Sequence, residues 1–114
     1  STLAALEYLN AFSGNGKKIF VFGDMRELGS SSYEQHKRIG EKCSELDLNI
    51  VYTIGNETKH TDAALKKGIN HKHFQSKKRL IKSIKNILSP GDKILFKGSR
   101  GMNMEHIISG VFEL

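Results

Sequence analysis

Two short polar stretches of this sequence combine residue types that could act on a small molecule. One is Gly23-Asp24-Met25-Arg26-Glu27-Leu28-Gly29, the other Lys97-Gly98-Ser99-Arg100-Gly101. Each directly follows an apolar run, Ile19-Phe20-Val21-Phe22 in the first case and Ile94-Leu95-Phe96 in the second. Arg100 brings a planar guanidinium that matches a carboxylate or phosphate, Ser99 a hydroxyl, and Lys97 an ammonium that must emerge at the end of a buried strand or find a counter-charge. Gly98 and Gly101 would let a ligand approach backbone N–H groups closely. The basic stretch therefore reads as a site for a small anion. Asp24, followed by Glu27, could hold a magnesium ion or a substrate amine. The plainer alternative is that Asp24 caps a turn.

The intervening segments must bring these stretches together. Thr2 to Phe12 places Leu3, Leu6, Leu9 and Phe12 on one helical stripe, with Ser1 or Thr2 as cap. After the break Ser13-Gly14-Asn15-Gly16, Ile19 to Phe22 reads as a strand buried on both faces, because its large apolar residues do not alternate with polar ones. Ser30, Ser31, Ser32 and Glu34 offer caps for a helix to about Leu46, with Tyr33, Ile39 and Cys43 inward and His36 or Gly40 between them. Asn49 to Ile54 is a further strand, ended by Gly55-Asn56-Glu57. Thr58 or Thr61 then caps a short helix through Lys67, stopped by Gly68. A polar strand around Lys72 to Gln75 has the character of an edge. Ser76 caps a helix over Lys77 to Leu88 that turns Leu80, Ile81, Ile84, Ile87 and Leu88 inward, and Pro90-Gly91 ends it. Ile94 to Phe96 forms the last strand, again buried on both faces, and Met104, Ile107, Ile108 and Val111 follow at helical spacing.

Strand–helix alternation, four times over after an initial helix, predicts an α/β fold: a mainly parallel sheet with helices on both faces, three layers α/β/α, in one domain over residues 1–114. Both polar stretches then lie at carboxyl ends of strands, where ligands of such sheets bind. Four strands is few for such a sheet, and a strand preceding Ser1 would complete it.

Composition narrows the partners. Eighteen Lys+Arg against 12 Asp+Glu give a formal charge of +6 and a pI near 9.5, which favours nucleotides, phosphorylated substrates or nucleic acid. Lys77, Lys78, Arg79, Lys82 and Lys85 read most simply as the solvated face of one helix. They also carry the alternative of a non-catalytic nucleic-acid-binding module, though no RNP-like or helix-turn-helix signature accompanies them. The single cysteine, Cys43, excludes an intrachain disulfide and a cysteine-based metal cluster, and points to a reducing compartment such as the cytoplasm. No apolar run of about 18 residues is present, so membrane insertion is not expected. His36 reads as a hydrogen-bonded structural histidine, and His60, His71 and His73 lack the further donors a metal needs. Neither GxxxxGK[ST] nor GxGxxG occurs, so if ATP is used another domain must hold most of it.

The stretch from Phe22 to Gly29, with His36 and Gly40 after it and Lys97-Gly98-Ser99-Arg100 with Met104-Glu105 later, resembles the C-terminal domain of the Mur ligases. Ser1-Thr2-Leu3-Ala4-Ala5-Leu6 is similar to the segment following that family's YNANPD motif, which this chain lacks. The resemblance covers essentially the whole chain. It implies a Rossmann-like domain that presents a dipeptide, part of a three-domain cytoplasmic enzyme of bacterial peptidoglycan synthesis. The other domains would bind the UDP-sugar and carry the ATP phosphate loop. The implied reaction joins D-alanyl-D-alanine (D-Ala-D-Ala) to UDP-N-acetylmuramoyl-tripeptide: ATP and Mg2+ activate the tripeptide carboxylate as an acyl phosphate, which the dipeptide amine attacks. On the matching positions, Asp24, Met25 and Glu27 would line the crevice near the activated acyl group, and Lys97, Ser99 and Arg100 would hold the dipeptide. Asp24, Glu27 and Lys97 are thus the catalytic candidates, and Met25, Asn56, Ser99 and Arg100 the substrate-binding ones. The 114 residues by themselves are expected neither to hydrolyse ATP nor to ligate.

Overall fold

The computed structural model describes residues 1–114. Helix α1 (Thr2–Asn10) is capped by Ser1, whose hydroxyl accepts the Ala4 N–H at 3.2 Å. There follow β1 (Lys18–Gly23), α2 (Ser32–Glu45), β2 (Ile50–Ile54), α3 (Lys59–Ala63), β3 (Asn70–Phe74), α4 (Lys77–Ile87), β4 (Lys93–Lys97) and α5 (Met104–Phe112). Single 3-10 turns at Gly29–Ser31 and Arg100–Met102 lead into α2 and α5. Ser76 caps α4 by accepting the Arg79 N–H at 3.2 Å.

All strand pairings are parallel, in the order β3-β2-β1-β4. Strand alternation divides the apolar residues between two cores. Ile19, Val21, Ile50, Tyr52 and Ile54 meet Leu80 and Ile84 of α4 and Ile107 and Val111 of α5 on one face. Phe20, Phe22 and Val51 meet Leu6 and Leu9 of α1 and Ile39 and Cys43 of α2 on the other. The three-layer α/β/α arrangement is thus as expected, and the continuous apolar run of β1 is explained by a helical layer on each side. Burial pushes the Cys43 thiol up to about 12, so it is a packing group and not a nucleophile.

Three local expectations are corrected. Strand β4 is covered on both faces, Ile94 and Phe96 by one core and Leu95 by the other, but as the outer strand beside β1 it leaves all five of its residues only half-buried. Tyr33 does not face inward but is 49 % exposed, edge-on to His60 at 4.8 Å; His36, one turn further on, takes the buried position. Helix α3 stops at Ala63, not Lys67: just beyond it Leu65 packs into the core, and the Lys66 N–H donates to the Ser44 hydroxyl at 3.0 Å instead of to a helical carbonyl. The polar strand is an edge as read. Asn70, His71 and Lys72 are exposed along β3, and such charged edges discourage further pairing.

Candidate functional site

The connection order creates a gap. From β1 the chain steps outward through β2 to β3, then crosses back to lay β4 on the far side of β1. The loops leaving β1 and β4 therefore diverge from neighbouring strands, which is the switch point where open α/β sheets bind ligands. Phe22 lies beside Lys97 at the ends of the two strands, so both chemistry-bearing stretches reach one rim. Gly23 and Gly98 make that approach close, since a Cβ at either position would press on the Met104 sulfur beneath them.

The β1 loop is held from three sides. The Asp24 carboxylate, 6 % exposed, accepts the Asn56 N–H through Oδ2 and the Glu57 and Thr58 N–H groups through Oδ1, each at 2.9 Å. It thus caps the β2–α3 turn, the plainer of its two sequence readings. Gly55 is required beside it: its φ of +124° is in the left-handed region, and a Cβ there would strike the carboxylate. The Met25 N–H donates to His36 Nε2 at 3.0 Å. The Arg26 N–H donates to Ser99 Oγ at 2.6 Å, while the Ser99 N–H donates to the Asp24 carbonyl at 2.9 Å. On the α2 side, His36 Nδ1 lies 2.8 Å from the Ser32 carbonyl, and the Ser32 hydroxyl donates to Glu57 at 2.6 Å.

Asp24 through Gly29, with Ser32, Asn56 and Glu57, line a concavity of about 420 Å³. It unites four expected site residues: Asp24, Met25, Glu27 and Asn56. Ser99 adjoins it through its bonds to Asp24 and Arg26. Lys97 and Arg100 stand at the same strand end without lining the concavity. Neither takes part in an ion pair, nor do Arg26 and Glu27, for the chain's four ion pairs all lie elsewhere. Glu27 is exposed and holds φ +65°, unusual for a residue with a Cβ. The glycines of the β4 loop do not offer an open backbone to an anion: the Arg26 guanidinium covers Gly101, and Gly98 packs on Met104.

The histidines are occupied otherwise. His71 pairs with Asp62 at 2.7 Å, and His73 joins the Thr53 hydroxyl to the Gly55 carbonyl at 2.8 and 2.9 Å. No three His, Cys, Asp or Glu side chains converge. What sequence reasoning missed is that Asn56, Glu57 and Thr58 serve through their amides and that His36 and Ser32 belong to the same network. The Gly55-Asn56-Glu57 break closing an apolar strand was the available signal.

A family model described as "Mur ligase, glutamate ligase domain" matches residues 1–100. The UDP-N-acetylmuramoyl-tripeptide–D-alanyl-D-alanine ligase of Bacillus subtilis (strain 168) is 37% identical over 116 residues, covering 99% of this chain and 25% of its own length. The enzyme of the same name from Haemophilus influenzae is 33% identical over 114 residues, covering 95% and 24%. Among solved structures, MurF from Acinetobacter baumannii aligns with a TM-score of 0.83 at 26% identity, over 100% of this chain and 26% of that one. MurF ligase from Thermotoga maritima in complex with ADP aligns with a TM-score of 0.80 at 28% identity, over 98% and 25%. The chain thus spans about a quarter of the length of the curated relatives it matches.

Proposed function

This chain belongs to the Mur ligase family, and we propose that the protein of which it forms a domain joins D-Ala-D-Ala to UDP-N-acetylmuramoyl-tripeptide at the expense of ATP, in the bacterial cytoplasm. The observation that carries this reading is whole-chain similarity to ligases of that name, at 37% identity across 99% of the chain. The nucleic-acid-binding module suggested by charge is set aside, since membership of a ligase family leaves it without support.

ATP supplies the phosphate that activates the tripeptide carboxylate. The residues of this chain do not suit a magnesium cage: three acceptor positions of Asp24 are filled by amides, and no second and third ligand converge with it. ATP and Mg2+ are therefore assigned to the remainder of the polypeptide, which the Mur ligase resemblance divides into two further domains. What this chain contributes is the acceptor dipeptide.

The dipeptide ends in a carboxylate and begins with an ammonium. Arg100 matches the carboxylate with its guanidinium fork. Ser99 Oγ already accepts the Arg26 N–H, which leaves its own proton for the same carboxylate. Lys97 adds a second positive charge where negative charge gathers in the transition state. Glu27, exposed and outside any ion pair, holds the ammonium and takes the proton that the amine must lose before it attacks. Met25 and Asn56 line the same concavity as Glu27. The catalytic role expected of Asp24 narrows to positioning, because its oxygens are engaged by the β2–α3 turn.

Arg100→Ala in the full-length enzyme tests the assignment. Loss of a charge-assisted pair predicts a rise of about tenfold or more in the KM for D-Ala-D-Ala, with the KM for ATP unmoved. An unchanged KM and kcat would remove Arg100 from the site.

A further inference from the structure

His36 is the one histidine with no exposed surface, and both ring nitrogens are engaged. Nε2 accepts the Met25 N–H at 3.0 Å, so the ring proton is on Nδ1 and is donated to the Ser32 carbonyl at 2.8 Å. Its own carbonyl accepts the Thr61 hydroxyl at 2.7 Å, which ties the same residue to α3. The ring lies tilted against Phe22, centroids 5.9 Å apart. A buried polar ring is favourable only while its bonds are made, and an apolar residue would fill this space without that requirement. What the ring does that an apolar group could not is hold the β1 loop.

That loop needs holding. Glu27 sits at φ +65°, a conformation that a residue with a Cβ adopts only when its surroundings impose it. The two residues before it are pinned through their backbone N–H groups, Met25 by His36 from the α2 side and Arg26 by Ser99 from the β4 side. Releasing either pin frees Glu27 to relax. The two pinned amides are adjacent, so both act on the stretch of backbone immediately before Glu27.

We propose that His36 is a positioning residue for the ligation step: by holding the Met25 N–H it imposes the Met25–Glu27 conformation, and so sets where the Glu27 carboxylate and the Ser99 hydroxyl stand relative to the incoming dipeptide. The role in ligation rests on the reading of this rim as the dipeptide site; the anchor itself does not.

Two substitutions in the full-length enzyme separate the parts of the ring. In His36→Gln the side-chain oxygen falls where Nε2 lies and still accepts the Met25 N–H. In His36→Asn the amide falls where Nδ1 lies, which keeps a donor for Ser32 but leaves the Met25 N–H bare. The Asn variant loses about tenfold or more in kcat/KM for D-Ala-D-Ala, a displacement-sized effect, while its KM for ATP stays at the wild-type value. The Gln variant retains most of the wild-type kcat/KM. In [15N]methionine-labelled protein the Met25 amide exchanges slowly in wild type and Gln and rapidly in Asn. Equal losses in both variants, no loss in Asn, or a matching rise in the KM for ATP would overturn the proposal, for a residue that merely fills the core cannot distinguish the two. Should the Asn variant fail to fold, the Gln variant decides alone, since losing activity or Met25 protection there defeats the idea. Failure of the unaltered protein to ligate the dipeptide would sink the site reading and the ligation role with it, whereas an unprotected Met25 amide in wild type would sink the anchor and the positioning role while leaving the site reading in place.

Discussion

Strand β1 is tied to a neighbour by a carboxylate at each end, to β4 through Asp92 at the amino end and to the turn after β2 through Asp24 at the carboxyl end, and the two ends differ in what they leave over. At the amino end Asp92 accepts the Lys17 and Ser89 N–H groups at 2.8 and 2.9 Å, and its charge is met by the Lys17 ammonium at 3.0 Å. At the carboxyl end Asp24 accepts three amides, yet Lys97 and Arg100 nearby have no anionic partner. One end is electrostatically closed and the other open. At the amino end the charges are matched within the fold and the carboxylate is a strap; at the carboxyl end the unmatched cations are those the proposed dipeptide would meet. The contrast also explains why Asp24, the more conspicuous residue in the sequence, is the less available one for chemistry.

The sharpest way to break this comparison is to remove the strap at the open end. Asp24→Ala leaves three amides without their acceptor, of which the Thr58 amide is buried and the Asn56 and Glu57 amides are part-buried, so at about 1–3 kcal/mol for a buried orphan it costs about 2–3 kcal/mol in urea unfolding. A loss below about 1 kcal/mol would mean that the turn finds other partners and that Asp24 is not a strap. Arg100→Ala, by contrast, falls within about 0.5 kcal/mol of wild type in the same measurement, because an exposed side chain outside any ion pair has little to lose. A large loss of stability there would close the open end and weaken the case for a ligand.

Smaller effects come from titration. Cys43 keeps its proton up to about 12 in the fold and loses it near 9.0 when unfolded. Between those values the unfolded chain binds fewer protons, so stability falls as pH rises from 9.0 toward 12. Alkaline unfolding of a Cys43→Ser variant should be flatter over that window. Asp92 provides the acid-side counterpart. Burial works against its ionised form, but the hydrogen bonds from Lys17 and Ser89 and the Lys17 charge hold its carboxyl below the ordinary value of 3.8. Its contribution is thus fully present above 3.8 and is lost as pH falls through the lowered value. Asp92→Asn should remove that acid-side slope while leaving dipeptide kinetics unchanged, which would confirm the closed end as purely structural.

Much of the fold could be read directly from residue order. The unbroken apolar run of β1 marked a strand covered on both faces, the polarity of β3 an edge, and Ser76 the start of α4, because each of these depends on neighbours within a few positions. The same reading overstated the burial of β4, whose Ile94-Leu95-Phe96 run is as apolar as that of β1 and is packed on both faces yet only half-buried. Burial there depends on what lies beyond the strand, and β4 is the outer strand of the sheet. The two candidate stretches were legible as residue types, and so was the family they resemble.

Local sequence determined which elements form, which face of each is apolar, and that two polar loops end strands. Only the tertiary structure decided that β4 returns beside β1, so that residues 73 positions apart, Arg26 and Ser99, share a hydrogen bond. It alone turned Asp24 from a candidate catalyst into a strap, through amides 32 to 34 residues away. The physical reason is that a hydrogen bond is settled by distance in space and by the competition for a limited number of acceptor positions. Neither quantity is written in the order of residues along the chain.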